Sequence, residues 1–201
     1  MPVFEITCVD ANDGHPYTAL VEGLTLSGAR LCAVRDGLRI VQRSTRDPDL
    51  PPRTASQIVL SDEFVLSRSI KPDVRSAIRA ALALSFDEGL TYESLGHAIE
   101  KLGIPPEKAF SIACTESARA SSIENLESMR ASGCRSKQWL VGGSPCVMCQ
   151  YIAAKVEARG GSIHIDEPFA VAGEIKGVRR DIYYPPAHNK CCCDICGGPS
   201  E

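Results

Sequence analysis

The placement of cysteine constrains the fold of this chain more than any other feature of its sequence. The 201 residues contain ten cysteines. Six of them fall in two short stretches, namely Cys146-x-x-Cys149 and the group Cys191, Cys192, Cys193 and Cys196. Two thiolates in one tight turn can reach the same ion, so such pairs suit a tetrahedral metal. Residues 1–10 (MPVFEITCVD) contain acidic side chains and no long apolar core, so we expect no signal peptide. Without an export signal, disulfides are the weaker interpretation of these cysteines.

A histidine just before the second cysteine group completes a candidate ligand set. The first pair supplies two thiolates, and the second group supplies either His188 with a neighbouring thiolate or the pair Cys193-x-x-Cys196. The predicted metal ligands are Cys146, Cys149, His188, Cys191 and Cys193. Either arrangement fills four positions and leaves none open, as in structural rather than catalytic zinc sites. We expect the ion to hold together a C-terminal tail with too few strands to build a core of its own.

Composition excludes several classes of protein. The chain is 44% hydrophobic and 23% charged, as in ordinary globular domains. No apolar run approaches the roughly 18 residues of a membrane-spanning helix, so no membrane contact is expected. A protein that binds nucleic acid over much of its surface carries an excess of basic residues. The formal net charge of −3 argues against such an excess in this chain.

The N-terminal residues have the alternation of β-strands. Phe4, Ile6 and Cys8 alternate with polar neighbours, and Asp36-Gly37 between the apolar runs 30–34 and 38–41 indicates a hairpin turn. Residues 44–56 are rich in proline, serine, threonine and charge, which is typical of a linker.

Helical spacing begins at Pro72 and continues to residue 132. A first helix ends at Gly89, a second is capped by Thr91 and ends at Gly103, and a third spans 106–131. The third helix has a predicted buried stripe of Ala109, Ile112, Ala113, Ala120, Ile123 and Leu126. Short strands follow at 138–141, 162–166 and 181–184, with a turn at 142–145 leading into the first cysteine pair.

These patterns predict an α+β fold in three parts. Residues 1–60 form a β-rich module and linker, residues 61–134 an α-helical unit, and residues 135–201 a small β tail clamped by cysteine, histidine and zinc.

Two other functions use some of the same residues. Cys114-x-Glu116 with Pro145-Cys146-x-x-Cys149 is similar to the zinc deaminases of nucleosides and nucleobases, in which Glu116 would move protons. However, Glu116 lies on the apolar stripe of the predicted helix, so a buried ion pair with Arg119 is the favoured interpretation. A zinc-knuckle nucleic-acid-binding protein, using Arg179 and Arg180, is the other alternative.

The order of motifs over residues 89–193 resembles the phage Mu F-like family of minor capsid, or head morphogenesis, proteins. Residues 113–120 (ACTESARA) are similar to its A-R-T-E-T-A-R-A helix, with Cys114 where arginine is usual. Gly133 and Trp139-Leu140 precede the first cysteine pair as in the family, and residues 165–169 resemble the segment between its cysteine groups. Residues 185–193 (PPAHNKCCC) resemble its P-P-x-H-P-N-C-R-C ending, with Asn189 for proline and Cys192 for arginine.

The resemblance implies a structural protein of the virion, without enzymatic activity. It would lie inside the phage head near the portal, after assembly in the host cytoplasm. The implied partners are the portal protein or the major capsid protein, with packaged DNA as a further contact. The resemblance implies no reaction, and it leaves residues 1–60 without a role.

Overall fold

The computed structural model describes the backbone of strands 3–9, 16–22 and 39–40, and all atoms of residues 51–67, 69–176 and 178–198. The chain divides into two compact units, Met1–Asp47 and Pro48–Glu201. In the first unit, strands β1 (Val3–Val9), β2 (Pro16–Glu22) and β3 (Arg39–Ile40) form an antiparallel sheet of order β2-β1-β3. The predicted hairpin turn at Asp36-Gly37 lies outside the described residues.

The second unit contains a short helix where the sequence predicts the end of a linker. Helix α1 (Ala55–Leu60) starts at a capping box. Thr54 Oγ1 accepts a hydrogen bond from the backbone of Gln57, and Gln57 Oε1 accepts one from the backbone of Thr54. This reciprocal pair satisfies two donors that a helix start leaves free.

The three predicted helices are confirmed. After a 3-10 turn (Pro72–Val74), the chain forms α2 (Arg75–Glu88), α3 (Tyr92–Glu100) and α4 (Pro106–Ala131). Gly89 adopts a left-handed conformation with φ 65°, which ends α2, and the Thr91 hydroxyl caps α3. The predicted stripe of α4 is buried except Ile123, which is partly buried.

The remaining elements are small. They are β4 (Ser136–Leu140), α5 (Val147–Glu157), β5 (Ile163–His164) and β6 (Asp194–Gly197), with the three strands in an antiparallel sheet of order β5-β4-β6. The strand predicted at 181–184 is not formed, because Ile182 makes only an isolated bridge with Ala170. The described chain therefore combines helices with small antiparallel sheets, as the sequence predicts.

Two separate buried clusters pack against different parts of α4. The first lies among α1 to α4 and includes Phe64, Ile78, Leu82, Leu95, Ile99 and Ala113. The second joins the end of α4 to the tail and includes Leu126, Met129, Trp139, Ile152, Phe169 and Ile195. The tail therefore has a buried apolar cluster that it shares with the end of α4, and segments between the strands contribute apolar side chains to it.

Candidate metal centre

The first cysteine pair is placed by the start of α5. Strand β4 ends at Leu140, and the following loop turns the chain into the helix. Cys146 is the N-cap residue with extended backbone, φ −75° and ψ 169°, and Cys149 lies in the first helical turn. Both side chains therefore stand at the helix N-terminus, where free backbone N–H groups and the helix dipole favour negative charge.

The second group of donors reaches this helix terminus from residues 188–193. His188 Nε2 lies 3.0 Å from Cys146 Sγ and 3.2 Å from Cys149 Sγ. Cys149 Sγ lies 3.7 Å from Cys191 Sγ. Around a tetrahedral zinc ion, sulfur ligands are about 3.8 Å apart and nitrogen lies about 3.5 Å from sulfur. The separations are thus close to those that a single ion needs.

The histidine is oriented by its other ring nitrogen. His188 Nδ1 lies 2.7 Å from the backbone oxygen of Asn189. A carbonyl oxygen only accepts, so Nδ1 carries the proton and Nε2 directs its lone pair toward the two sulfur atoms. A nucleophilic Cys–His dyad needs one sulfur, whereas here two sulfurs converge on the same nitrogen.

Five donors converge as two groups that share one thiol. Cys146, Cys149 and His188 form the first, and Cys149, Cys191 and Cys193 form the second, with the ligand atoms of each group within 4.8 Å of one another. Cys149 is thus the donor that the two groups have in common. The cluster could hold a metal ion, and its sulfur and nitrogen donors suit a soft or borderline ion.

The thiols of the cluster differ in their exposure to solvent. Cys146 is exposed, whereas Cys149 and Cys191 are buried. Burial acts to raise the pKa of Cys146, but hydrogen bonds from the backbone of Cys149 and Met148 and from the Cys149 side chain outweigh it and lower that pKa. Burial raises the pKa of Cys149, and neighbouring Cys193 and Cys191 raise it further. Burial also raises the pKa of Cys191. An ion would offset the cost of holding these thiolates in the interior.

The other cysteines near the cluster point elsewhere. Cys192 is exposed, and its Sγ lies 3.6 Å from the backbone oxygen of Lys190. Cys196 lies on β6 with its Sγ 3.6 Å from Gln138 Oε1. Among the described residues, neither joins a candidate metal group, so the alternative that paired Cys193 with Cys196 is not assembled.

Glu116 is engaged in a buried ion pair. Its carboxylate is 1% exposed and lies 2.6 Å from Arg119 Nη1, as the sequence predicts, and it accepts a hydrogen bond from the backbone of Ser67. Burial raises the pKa of Glu116 and lowers the pKa of Arg119, so the low-dielectric interior opposes both charges and their attraction offsets that cost. Cys114, the third ligand of the deaminase alternative, belongs to neither metal group in the described chain.

Sequence reasoning missed α5 and β6. The apolar residues Cys149, Ile152 and Val156 follow helical spacing, so α5 could have been predicted from the sequence. Strand β6 consists of four residues, two of them Cys196 and Gly197, so it has little periodicity to detect.

The sequence patterns also gave no indication of a buried lysine. Lys137 is 0% exposed, donates a hydrogen bond of 3.0 Å to the backbone oxygen of Tyr183, and lies 4.9 Å from the centre of the Phe169 ring. A lysine within a short strand pattern is ordinarily predicted to face solvent, so no sequence signal marked it.

Comparisons with protein-family models, curated proteins and solved structures found no match to this chain. Within the described segments, no helix combines the length and the apolar character needed to cross a membrane.

Proposed function

We propose that this chain is a structural protein in which a zinc ion holds together the two ends of the C-terminal tail, at the start of α5 and at residues 188–193. The observation that carries the proposal is the convergence of four thiols and one imidazole at the start of α5. Four of these five donors would complete a tetrahedral shell of protein ligands around one ion, and such a shell has no position for substrate or water.

The donor set favours zinc over other common ions. Magnesium and calcium prefer oxygen ligands, and no carboxylate belongs to either group in the described chain. Three thiolates and one imidazole around a tetrahedral ion form a common structural zinc site. Cys146, Cys149 and His188 would supply three ligands, and Cys191 or Cys193 the fourth.

The ion would join segments that are distant in sequence. His188 and Cys149 are 39 positions apart, and the loop between them contains α5, β5 and the bridge from Ala170 to Ile182. Closing such a loop costs chain entropy. The free energy of metal coordination offsets this cost when the ligands bind one ion. The buried thiols also belong to the tail cluster, so coordination and apolar packing stabilise the same part of the fold.

A structural role also agrees with the surroundings of Glu116. The carboxylate is held by Arg119 and by the Ser67 backbone, which leaves it engaged in stabilising contacts rather than facing an open metal position. Arg119 in turn donates to the backbone oxygen of Val65, and so connects α4 to the segment before α2.

The setting we propose is the head of a tailed phage. The support is the ordered series of motifs from residue 89 to residue 193, which resembles minor capsid proteins of the phage Mu F-like type. The chain would contact the portal or major capsid protein, and the net charge of −3 favours protein contacts over extensive contacts with DNA phosphates.

Metal analysis with limited proteolysis tests the structural role. Purified full-length chain should hold one zinc per molecule, and a chelator should expose the tail after residue 135 to protease. The double variant Cys146→Ser with His188→Ala should behave like chelated protein, whereas Cys134→Ser should not, because Cys134 is outside both metal groups. Unchanged protease resistance in metal-free protein would contradict the clamp.

The phage setting has its own test. Quantitative mass spectrometry of purified particles produced by the encoding genome should detect the chain in low copy number. Crosslinks from the chain should reach the portal or the major capsid protein. Absence of the chain from intact particles would refute the virion role and leave the metal site standing.

A further inference from the structure

Cys146 and Cys149 differ in their access to solvent although their side chains lie together. Cys146 is exposed at the N-cap of α5, whereas Cys149 is 1% exposed. Their sulfur atoms lie within the 4.8 Å that joins the first metal group. A Cys-x-x-Cys pair at a helix N-terminus can close into a disulfide, as in disulfide oxidoreductases, when side-chain rotation brings its sulfurs to about 2.0 Å.

We propose that Cys146 and Cys149 form a reversible disulfide, and that this disulfide and the metal ion compete for the same two thiols. This competition between disulfide and ion rests on the proposed function, because it requires the metal site described there. The tail would then be clamped in reducing conditions and would release its ion when a disulfide-containing oxidant is present.

The reaction balances with a small-molecule disulfide, RS–SR, as the oxidant. The Cys146 thiolate attacks one sulfur, forming a mixed disulfide and expelling RS⁻, which takes a proton to become the first RSH. Cys149 then loses its proton and attacks the Cys146 sulfur, which closes the protein disulfide and expels the second RSH. The two protein thiols lose two electrons, and RS–SR gains them.

The other thiols of the cluster are less suited to these steps. Cys191 and Cys193 are 9% and 8% exposed, so an external disulfide does not reach them first. Cys192 is exposed, but its Sγ is directed toward the backbone oxygen of Lys190 rather than toward Cys149. Cys192 is therefore not placed to form a disulfide with Cys149, which makes it the matched control for Cys146.

The test uses the reduced full-length chain, with and without one equivalent of zinc, exposed to oxidised glutathione. Free thiols are trapped by alkylation, and peptide mass spectrometry locates the disulfides over time. We expect a Cys146–Cys149 disulfide in metal-free protein, formed at least about tenfold faster than in zinc-loaded protein. Cys146→Ser should abolish it, and Cys192→Ser should leave it unchanged.

Two results would overturn the proposal. One is a glutathione adduct that persists on Cys146 while Cys149 remains open to alkylation. The other is a rate of disulfide formation that bound zinc does not change. Zinc content is measured on the same samples. Protein that binds zinc but forms no disulfide refutes this inference alone, whereas protein that binds no zinc refutes the metal site and the competition with it.

Discussion

His188 Nε2 lies 3.2 Å from Cys149 Sγ, although the two residues are 39 positions apart in the sequence. The contact joins the start of α5 to the last loop of the tail. Cys149 also lies 3.7 Å from Cys191, so its thiol stands between the two halves of the donor cluster. Metal binding should therefore depend on Cys149 more than on any other donor of the cluster.

Cys149 should be the ligand whose loss weakens metal binding most. It belongs to both donor groups, whereas Cys191 and Cys193 belong to the same group and can replace one another. Loss of an outer-shell partner alone can cost about 100-fold in affinity, and Cys149→Ser should cost at least that. Competition with a zinc chelator measures the affinity.

The single variants Cys191→Ser and Cys193→Ser should each lose less affinity than Cys149→Ser. The double variant should lose about as much. If either single variant matched Cys149→Ser, the two thiols would not be interchangeable.

Gly142 should tolerate no side chain. A Cβ atom built there would lie 2.3 Å from the backbone oxygen of Cys192, between two ligand residues. Gly142→Ala must therefore push the second cysteine group away from α5, at a cost of about 1–3 kcal/mol, and should weaken zinc binding. Gly143→Ala is the matched control, because a Cβ there meets nothing within 4 Å. Equal stability of the two variants in urea unfolding would contradict this prediction.

The Glu116–Arg119 pair should show strong coupling in a double-mutant cycle. Arg119→Met leaves the carboxylate of Glu116 buried without its counter-charge, which typically costs about 3–5 kcal/mol. Adding Glu116→Gln removes the second charge, so the double variant should be less destabilised than the sum of the single variants. Additive free energies of unfolding would show that the two residues act independently.

Glu116→Gln should also leave the zinc content unchanged. The carboxylate belongs to neither donor group in the described chain. Loss of the ion in this variant, measured by metal analysis, would tie Glu116 to the metal and revive the deaminase alternative.

Lys137 should make the stability of the chain rise with pH above neutrality. Burial, aided by nearby Arg130 and opposed by Asp166 and Glu167, lowers the pKa of Lys137 to about 7. The pKa of lysine in the unfolded chain is about 10.4. Between these values the unfolded chain holds a proton that the folded chain has lost, so this group adds up to about 1.4 kcal/mol of stability per pH unit. Below pH 7 both states are protonated, and the slope from this group vanishes.

Urea unfolding of zinc-loaded wild type and Lys137→Met at pH 6, 7, 8 and 9 measures that slope. The difference in unfolding free energy between the two proteins should change little from pH 6 to 7 and more steeply above pH 7. Lys101→Met, at an exposed position, should show no such change. A difference that stays constant throughout would mean that Lys137 keeps an ordinary pKa.

The helical unit could be predicted from local signals. Gly89, Thr91 and the two prolines at 105 and 106 mark helix ends by backbone restriction and capping, which act within a few residues. The partner of Glu116 could be predicted for the same reason, because residues three apart on a helix share one face.

The tail depends on contacts between distant residues, and these have weaker local signals. Ile182 pairs with Ala170 through a single bridge, and the burial of Lys137 depends on Phe169 and Tyr183 from separate loops. The donor set could be proposed from spacing, but the position of Cys149 between the two groups follows from the start of α5, which the cysteine spacing does not reveal.

A zinc-edge anomalous difference map of crystals of the 201-residue chain would locate the ion and its ligands together. We expect one peak bounded by Cys146, Cys149, His188 and either Cys191 or Cys193, with no open position. A peak held by Cys114, Cys146 and Cys149 with an open fourth position would contradict it, and so would the absence of any peak in zinc-saturated protein.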